Sequence, residues 1–242
     1  MKKVLIGLVI ALNICFASTI YEGHVAYLNK DYKTALSIFE ELALENDADA
    51  QNMLGIMYKK GHGVKQDYIK AIEWLEKSDA QNNMVASRNL GYIYYDGEGI
   101  KQDYKKAVNL FEKVANSGDL STIEILSHMY YNGMGVEKDH LKSINWLKKA
   151  AEIGDVPSQF EIGFMYYNEK NTIHDYRKAK EWFEKAAEKN FSLAQNYLGI
   201  LYHKGLGIRQ DFKVAKEWYG KACDSGYQLG CDNYKKLNEQ GF

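Results

Sequence analysis

Aspartate recurs as Asp31, Asp67, Asp103, Asp139, Asp175 and Asp211, five consecutive intervals of 36 residues without an insertion or deletion. A spacing that never slips over so much of a chain means one structural unit copied in register. The residues around each aspartate keep the same step. Four positions on come Ala35, Ala71, Ala107, Ser143, Ala179 and Ala215, and seven positions on come Ile38, Trp74, Leu110, Trp146, Trp182 and Trp218. Those offsets share one face of a helix. The aspartate is placed to be that helix's N-cap, accepting a hydrogen bond from a free backbone N–H of the first turn.

A second apolar face follows in each unit, as in Ala86, Leu90, Gly91, Ile93 and Tyr94 or Ala194, Leu198, Gly199, Leu201 and Tyr202. A glycine inside a helix costs ~1 kcal/mol relative to alanine, so Gly55, Gly91, Gly163 and Gly199 need a reason. Close packing of two helices supplies one, with the small residue four after each aspartate as the expected partner. Two short amphipathic helices cannot bury their apolar faces alone, whereas stacked copies can. The expectation is therefore an all-α solenoid of helix-turn-helix units.

The pairs Gly61/Gly63, Gly97/Gly99, Gly133/Gly135 and Gly205/Gly207 precede the Asp-headed helices, where a phosphate loop could also stand. None is followed by Gly-Lys-Ser/Thr. They read as left-handed turn residues that end one helix and redirect the chain. In YYNEKNTIHD, from Tyr166, Glu169 and Asn171 replace the two glycines at constant length. Asparagine tolerates the left-handed region, so Asn171 is expected to keep the turn.

The pattern Ala, Leu-Gly, Tyr, Gly-x-Gly and Asp-Tyr-x-x-Ala-x-x-Trp over 36 residues resembles the Sel-1-like repeat, a relative of the tetratricopeptide repeat. The resemblance runs from about Ile20 to Leu237. It implies a right-handed α-solenoid of about six repeats, forming one continuous domain over residues 18–242. Between Gly23 and Asp31 the spacing is eight residues, the tighter tetratricopeptide length.

Residues 1–17 read differently. Lys2 and Lys3 precede the apolar run from Val4 to Leu12, and Cys15-Phe16-Ala17 offers small residues at both positions of a signal-peptidase site. A signal peptide cut after Ala17 is expected, leaving no membrane anchor and placing the protein in the periplasm or outside the cell. Nine apolar residues fall short of the ~20 needed to span a bilayer. The mature chain would carry 29 basic and 32 acidic residues, a net charge of −3. That balance offers nucleic acid no electrostatic attraction. Cleavage also removes Cys15, and the remaining Cys223 and Cys231 read as a disulfide in an oxidising compartment.

That pair, in KACDSGYQLGCDNYKKL, ends one helix and begins the next. It resembles the Helicobacter cysteine-rich protein family, secreted Sel-1-like proteins whose cysteine pairs staple neighbouring helices. The resemblance implies penicillin binding with weak β-lactamase activity. The residues give it no support, because S-x-x-K, S-D-N and K-T-G are all missing from the sequence. His24, His62, His128, His140, His174 and His203 are scattered without metal-ligand spacing and read as loop or surface residues. No catalytic residue, metal site or cofactor is expected. Glu/Lys runs such as EWFEKAAEK read as a solvated helix face.

What remains is a surface. On the Leu-Gly helices the positions opposite the packed face include Tyr92 and Tyr95, His128 and Tyr131, Phe164 and Tyr167. In related repeats this helix lines a concave groove, so the resemblance implies an aromatic stripe facing a ligand. Tyr92, His128 and Phe164 stand near the middle of the outward face. Tyr95, Tyr131 and Tyr167 either join them or fill contacts between repeats. The reading is a non-enzymatic repeat scaffold that binds a protein or peptide partner on its concave face. The alternative is a binder of β-lactams or cell-wall peptidoglycan fragments, with weak β-lactamase activity.

Overall fold

The structure, a computed structural model, describes residues 19–242. The expected signal peptide and its cleavage after Ala17 lie outside the described residues. Helices α1 (19–28), α2 (Tyr32–Leu44), α3 (Ala48–Lys60), α4 (Tyr68–Ala80), α5 (Met84–Asp96) and α6 (Tyr104–Ala115) belong to one compact unit, which ends at Ser117. A second unit, from Gly118, holds α7 (Leu120–Asn132), α8 (His140–Glu152), α9 (Val156–Tyr167), α10 (Tyr176–Ala187), α11 (Ser192–Lys204), α12 (Phe212–Asp224) and α13 (Gln228–Glu239). No strand occurs among the described residues. The fold is all-α, built of helical hairpins at the period read from the aspartates.

All six recurring aspartates cap a helix. Each carboxylate accepts a backbone N–H of the first turn, from Asp31 with Thr34 N at 3.2 Å to Asp211 with Val214 N at 3.0 Å. Removing such a cap costs ~1 kcal/mol. A second series, Asp47, Asn83, Asp119 and Asp155, caps α3, α5, α7 and α9 in the same way. The short turns before them run through positive φ at Asn46, Asn82, Gly118 and Gly154. Phe191 and Tyr227 occupy the next two equivalent positions and make no side-chain cap.

The longer connections are equally uniform. Gly61, Gly97, Gly133 and Gly205 end their helices in the left-handed region, and the second glycine of each pair also has positive φ. That second glycine has a further duty. A Cβ on Gly63 would stand 2.7 Å from the carbonyl oxygen of Tyr32, and one on Gly207 2.6 Å from Tyr176 Cβ, so each loop presses on the preceding Asp-headed helix. Every long loop then closes on one bond: the N–H of Asp67, Asp103, Asp139, Asp175 and Asp211 donates to the carbonyl of Tyr58, Tyr94, Tyr130, Tyr166 and Tyr202 at 2.9 to 3.0 Å.

The glycine-free loop keeps this closing bond but not the expected turn. Asn171 does not adopt positive φ; it is 6% exposed and replaces backbone freedom with side-chain bonds. Its amide donates to the Met165 carbonyl at 2.8 Å, and its Oδ1 accepts from the Tyr131 hydroxyl at 3.0 Å. Helix α9 correspondingly stops at Tyr167, with Asn168 in extended conformation.

The helix glycines do mark close approach, but their first neighbour differs from the expectation. A Cβ on Gly55, Gly91, Gly163 or Gly199 would lie 2.5 to 2.6 Å from the side chain of Leu75, Phe111, Phe183 or Tyr219, eight residues after the capping aspartate. The carbonyls of Ala71 and Ala179 come next, at 3.2 and 3.3 Å. These large side chains are almost completely buried, whereas the tryptophans one position earlier are half-buried under lysines such as Lys185, 3.8 Å from the Trp182 ring. Each buried aromatic or leucine contributes about 1.5 to 3 kcal/mol by leaving water. At the C-terminus Cys223 and Cys231 form a disulfide that joins α12 to α13, with Cα atoms 4.5 Å apart. Gly230 permits this approach, since a Cβ there would meet Ala222 Cβ at 2.7 Å.

Candidate functional site

Helices α7 and α9 belong to successive hairpins of the second unit and carry equivalent positions of the 36-residue repeat. Two turns of α7 carry Glu124, His128 and Tyr131; the equivalent turns of α9 carry Phe160, Phe164 and Tyr167, with Glu161 beside Phe160. Between them opens a cleft of about 350 Å³ walled by Glu124, His128, Tyr131, Phe160, Glu161 and Phe164. Its floor is Ser127, Ser143 and Met165. Ser127 stands where other repeats have glycine, and its hydroxyl bonds that of Ser143 at 2.7 Å.

A second cleft, of about 580 Å³, lies on the far side of Phe164. Tyr167, Tyr176 and Tyr197 share its wall, and Glu169, Lys170 and Lys204 stand around them. The rings form one cluster: Tyr197 is 5.2 Å from Tyr167, 5.7 Å from Phe164 and 5.3 Å from the fully buried Phe183. Burial raises the Tyr167 and Tyr197 hydroxyl pKa values. Burial and a hydrogen bond to Glu169 push Tyr176 up to about 12. Phe164, shared by both clefts, is 38% exposed.

The candidate stripe divides accordingly. His128, Tyr131 and Phe164 line the first cleft; Phe164 and Tyr167 line the second. Tyr131 also stacks on His140 at 4.8 Å, and Tyr167 packs edge-on against Tyr176 at 5.5 Å. Tyr92 and Tyr95 belong to the first unit and line neither cleft. Both are half-buried and lean on Phe111, at 5.3 and 6.1 Å.

The histidines also depart from a surface reading in one case. His140 is 6% exposed, and burial followed by the nearby Lys138 lowers its pKa. Among the described residues no three His, Cys, Asp or Glu side chains gather to hold a metal ion. None of the described helices is long and apolar enough to cross a membrane.

Three wall residues carry no signal in the repeat pattern. Phe160, Glu124 and Glu161 do not recur: the positions equivalent to Phe160 hold Asn52, Arg88, Glu124, Asn196 and Asp232. The one available cue to Phe160 was the loss of a helix cap at Phe191, whose ring packs 5.4 Å from it.

The Sel1 repeat model matches five successive segments, 48–83, 85–119, 125–155, 156–191 and 192–227. The chain belongs to the Sel1 repeat family. Among solved structures, a protective antigen of uropathogenic Escherichia coli displaying an SLR fold aligns at 29% identity and a TM-score of 0.74 over 96% of this chain. This chain spans 50% of that antigen's length. A Sel1 repeat protein of Oxalobacter formigenes aligns at 27% identity and a TM-score of 0.62, over 92% of this chain and 89% of that one. Helicobacter pylori cysteine rich protein B aligns at 22% identity and a TM-score of 0.38, over 50% of this chain and 91% of that one. No curated protein matches the sequence. Sel1 repeat proteins are generally non-enzymatic scaffolds that mediate protein–protein interaction.

Proposed function

We propose that this chain is an exported, non-enzymatic Sel1 scaffold that captures a protein or peptide partner on the aromatic face of its second unit. The observation that carries the reading is Phe164, an exposed aromatic ring between two clefts and backed by a buried aromatic cluster. Rigid aromatics at the centre of a patch supply most of the energy of a typical protein interface. Export rests on the apolar N-terminal run and on a disulfide that an oxidising compartment would preserve.

The test is capture by the mature protein, immobilised, from the producing cell's envelope and secreted fractions, set beside Phe164→Asp and Tyr92→Asp. A partner kept by wild type and lost with Phe164→Asp, whatever Tyr92→Asp does, supports the reading. Equal retention by wild type and a folded Phe164→Asp sinks it.

A β-lactam or cell-wall fragment is favoured by a different observation: the larger cleft sets Lys170 and Lys204 beside tyrosine rings, a combination suited to an anionic ring compound. Calorimetry with benzylpenicillin and with a muropeptide, repeated on Lys170→Ala/Lys204→Ala, tests it. No heat in either titration removes this second reading.

A further inference from the structure

The first cleft is an acidic pocket with apolar walls. Glu124 and Glu161 face it from α7 and α9, beside Phe160, Phe164 and Tyr131. Among the described residues neither carboxylate makes an ion pair or a hydrogen bond. Elsewhere Glu184 is answered by Lys180 at 2.6 Å and Asp79 by Lys113 at 2.7 Å. The two acids of the cleft therefore face one another uncompensated, with Asp155 as a third acid acting on Glu161.

Glu161 is open to solvent over much of its side chain, yet protein around its carboxyl raises its pKa through desolvation, and the charges of Glu124 and Asp155 raise it further. A carboxylate held in this way opposes folding at neutral pH: its ionisation is easier in the unfolded chain. A cation delivered into the cleft would relieve that repulsion. The aromatic walls would take the aliphatic stem of a long side chain and attract its charged head.

We propose that this cleft receives the side chain of a lysine or arginine projecting from the protein or peptide partner. The argument is charge complementarity: two unpaired carboxylates on a net acidic mature chain call for a cation, and the rings call for an apolar stem. The cleft's volume of about 350 Å³ lies within the usual ~300 to 1,000 Å³ of ligand sites. The inference rests on the reading that the face around Phe164 binds a partner, and adds what that partner must present.

The experiment uses the mature chain and three acetylated, amidated pentapeptides that differ only in a central lysine, arginine or norleucine, titrated by heteronuclear NMR. Lysine and arginine peptides are expected to bind at least about tenfold more tightly than norleucine, and Glu124→Gln/Glu161→Gln to erase that difference. Glutamine keeps the shape of the site, and the melting temperature of Glu161→Gln is expected to stay level or rise by at most about 2 °C at neutral pH. Equal binding of all three peptides, no shifts at millimolar peptide, or a charge preference that survives the double substitution in a folded protein overturns the proposal. In the capture experiment, loss of partner with Phe164→Asp but full retention by Glu124→Gln/Glu161→Gln would leave the binding face standing and discard the cation.

Discussion

At the scale of single residues, the repeat enforces size more strictly than polarity. Gly163 lies under the Phe183 ring, so Gly163→Ala places a methyl 2.6 Å from that ring's carbon, with the Ala179 carbonyl at 3.3 Å. Neither neighbour can withdraw freely, and urea denaturation should show a loss of about 1 to 3 kcal/mol, more than alanine's helix propensity returns. Tyr176 gives a pH signature. Its folded pKa is raised to about 12, whereas an unfolded tyrosine ionises near ~10. Its contribution is complete below the unfolded value and is lost as pH rises through the interval. Thermal melts should decline on that alkaline limb, and the decline should be shallower in Tyr176→Phe.

At the scale of elements, the sequence was most informative where one residue type does one job at every repeat. Aspartate caps and loop glycines were legible because capping and positive φ are local demands. The identity of the fully buried position was not. The tryptophans are the largest residues on the Asp-headed helices, yet the side chains one position later enter the core, because they meet the helix glycine. Asn171 misled for a related reason: its tolerance of left-handed backbone is real, but the protein uses its amide instead. Asn171→Gly, which restores the common residue of the repeat, should therefore destabilise the protein. The loss is expected to be about 1 to 3 kcal/mol in urea melts, since the Met165 carbonyl loses the donor and the Tyr131 hydroxyl the acceptor that Asn171 supplies.

At the scale of the whole molecule, every residue of both clefts lies beyond Ser117. The second unit contains three complete Asp-headed helices, α8, α10 and α12, each with helices packed on both sides, which satisfies the rule that about three repeats are needed for independent stability. Residues 118–242 expressed alone should give a cooperative helical melt by circular dichroism and retain the clefts' ligand preference; an unfolded fragment would show that the site depends on the rest of the chain. The clefts were only partly legible beforehand. Averaging over repeats exposes what recurs, whereas Phe160, Glu124 and Glu161 matter because they do not.

The bond from the N–H of Asp67, Asp103, Asp139, Asp175 and Asp211 to the tyrosine carbonyl nine residues earlier closes five loops of different composition, including the loop without glycine, whose turn differs. Framework and message are thereby separated: the bond uses only backbone atoms, and the side chains displayed on α7 and α9 can change without disturbing it. On these two helices Glu124 and Glu161 line one cleft from opposite sides. Recognition in such a chain can be rewritten two letters at a time, and replacing Glu124 and Glu161 with lysines would be a way of addressing the same frame to an acidic correspondent.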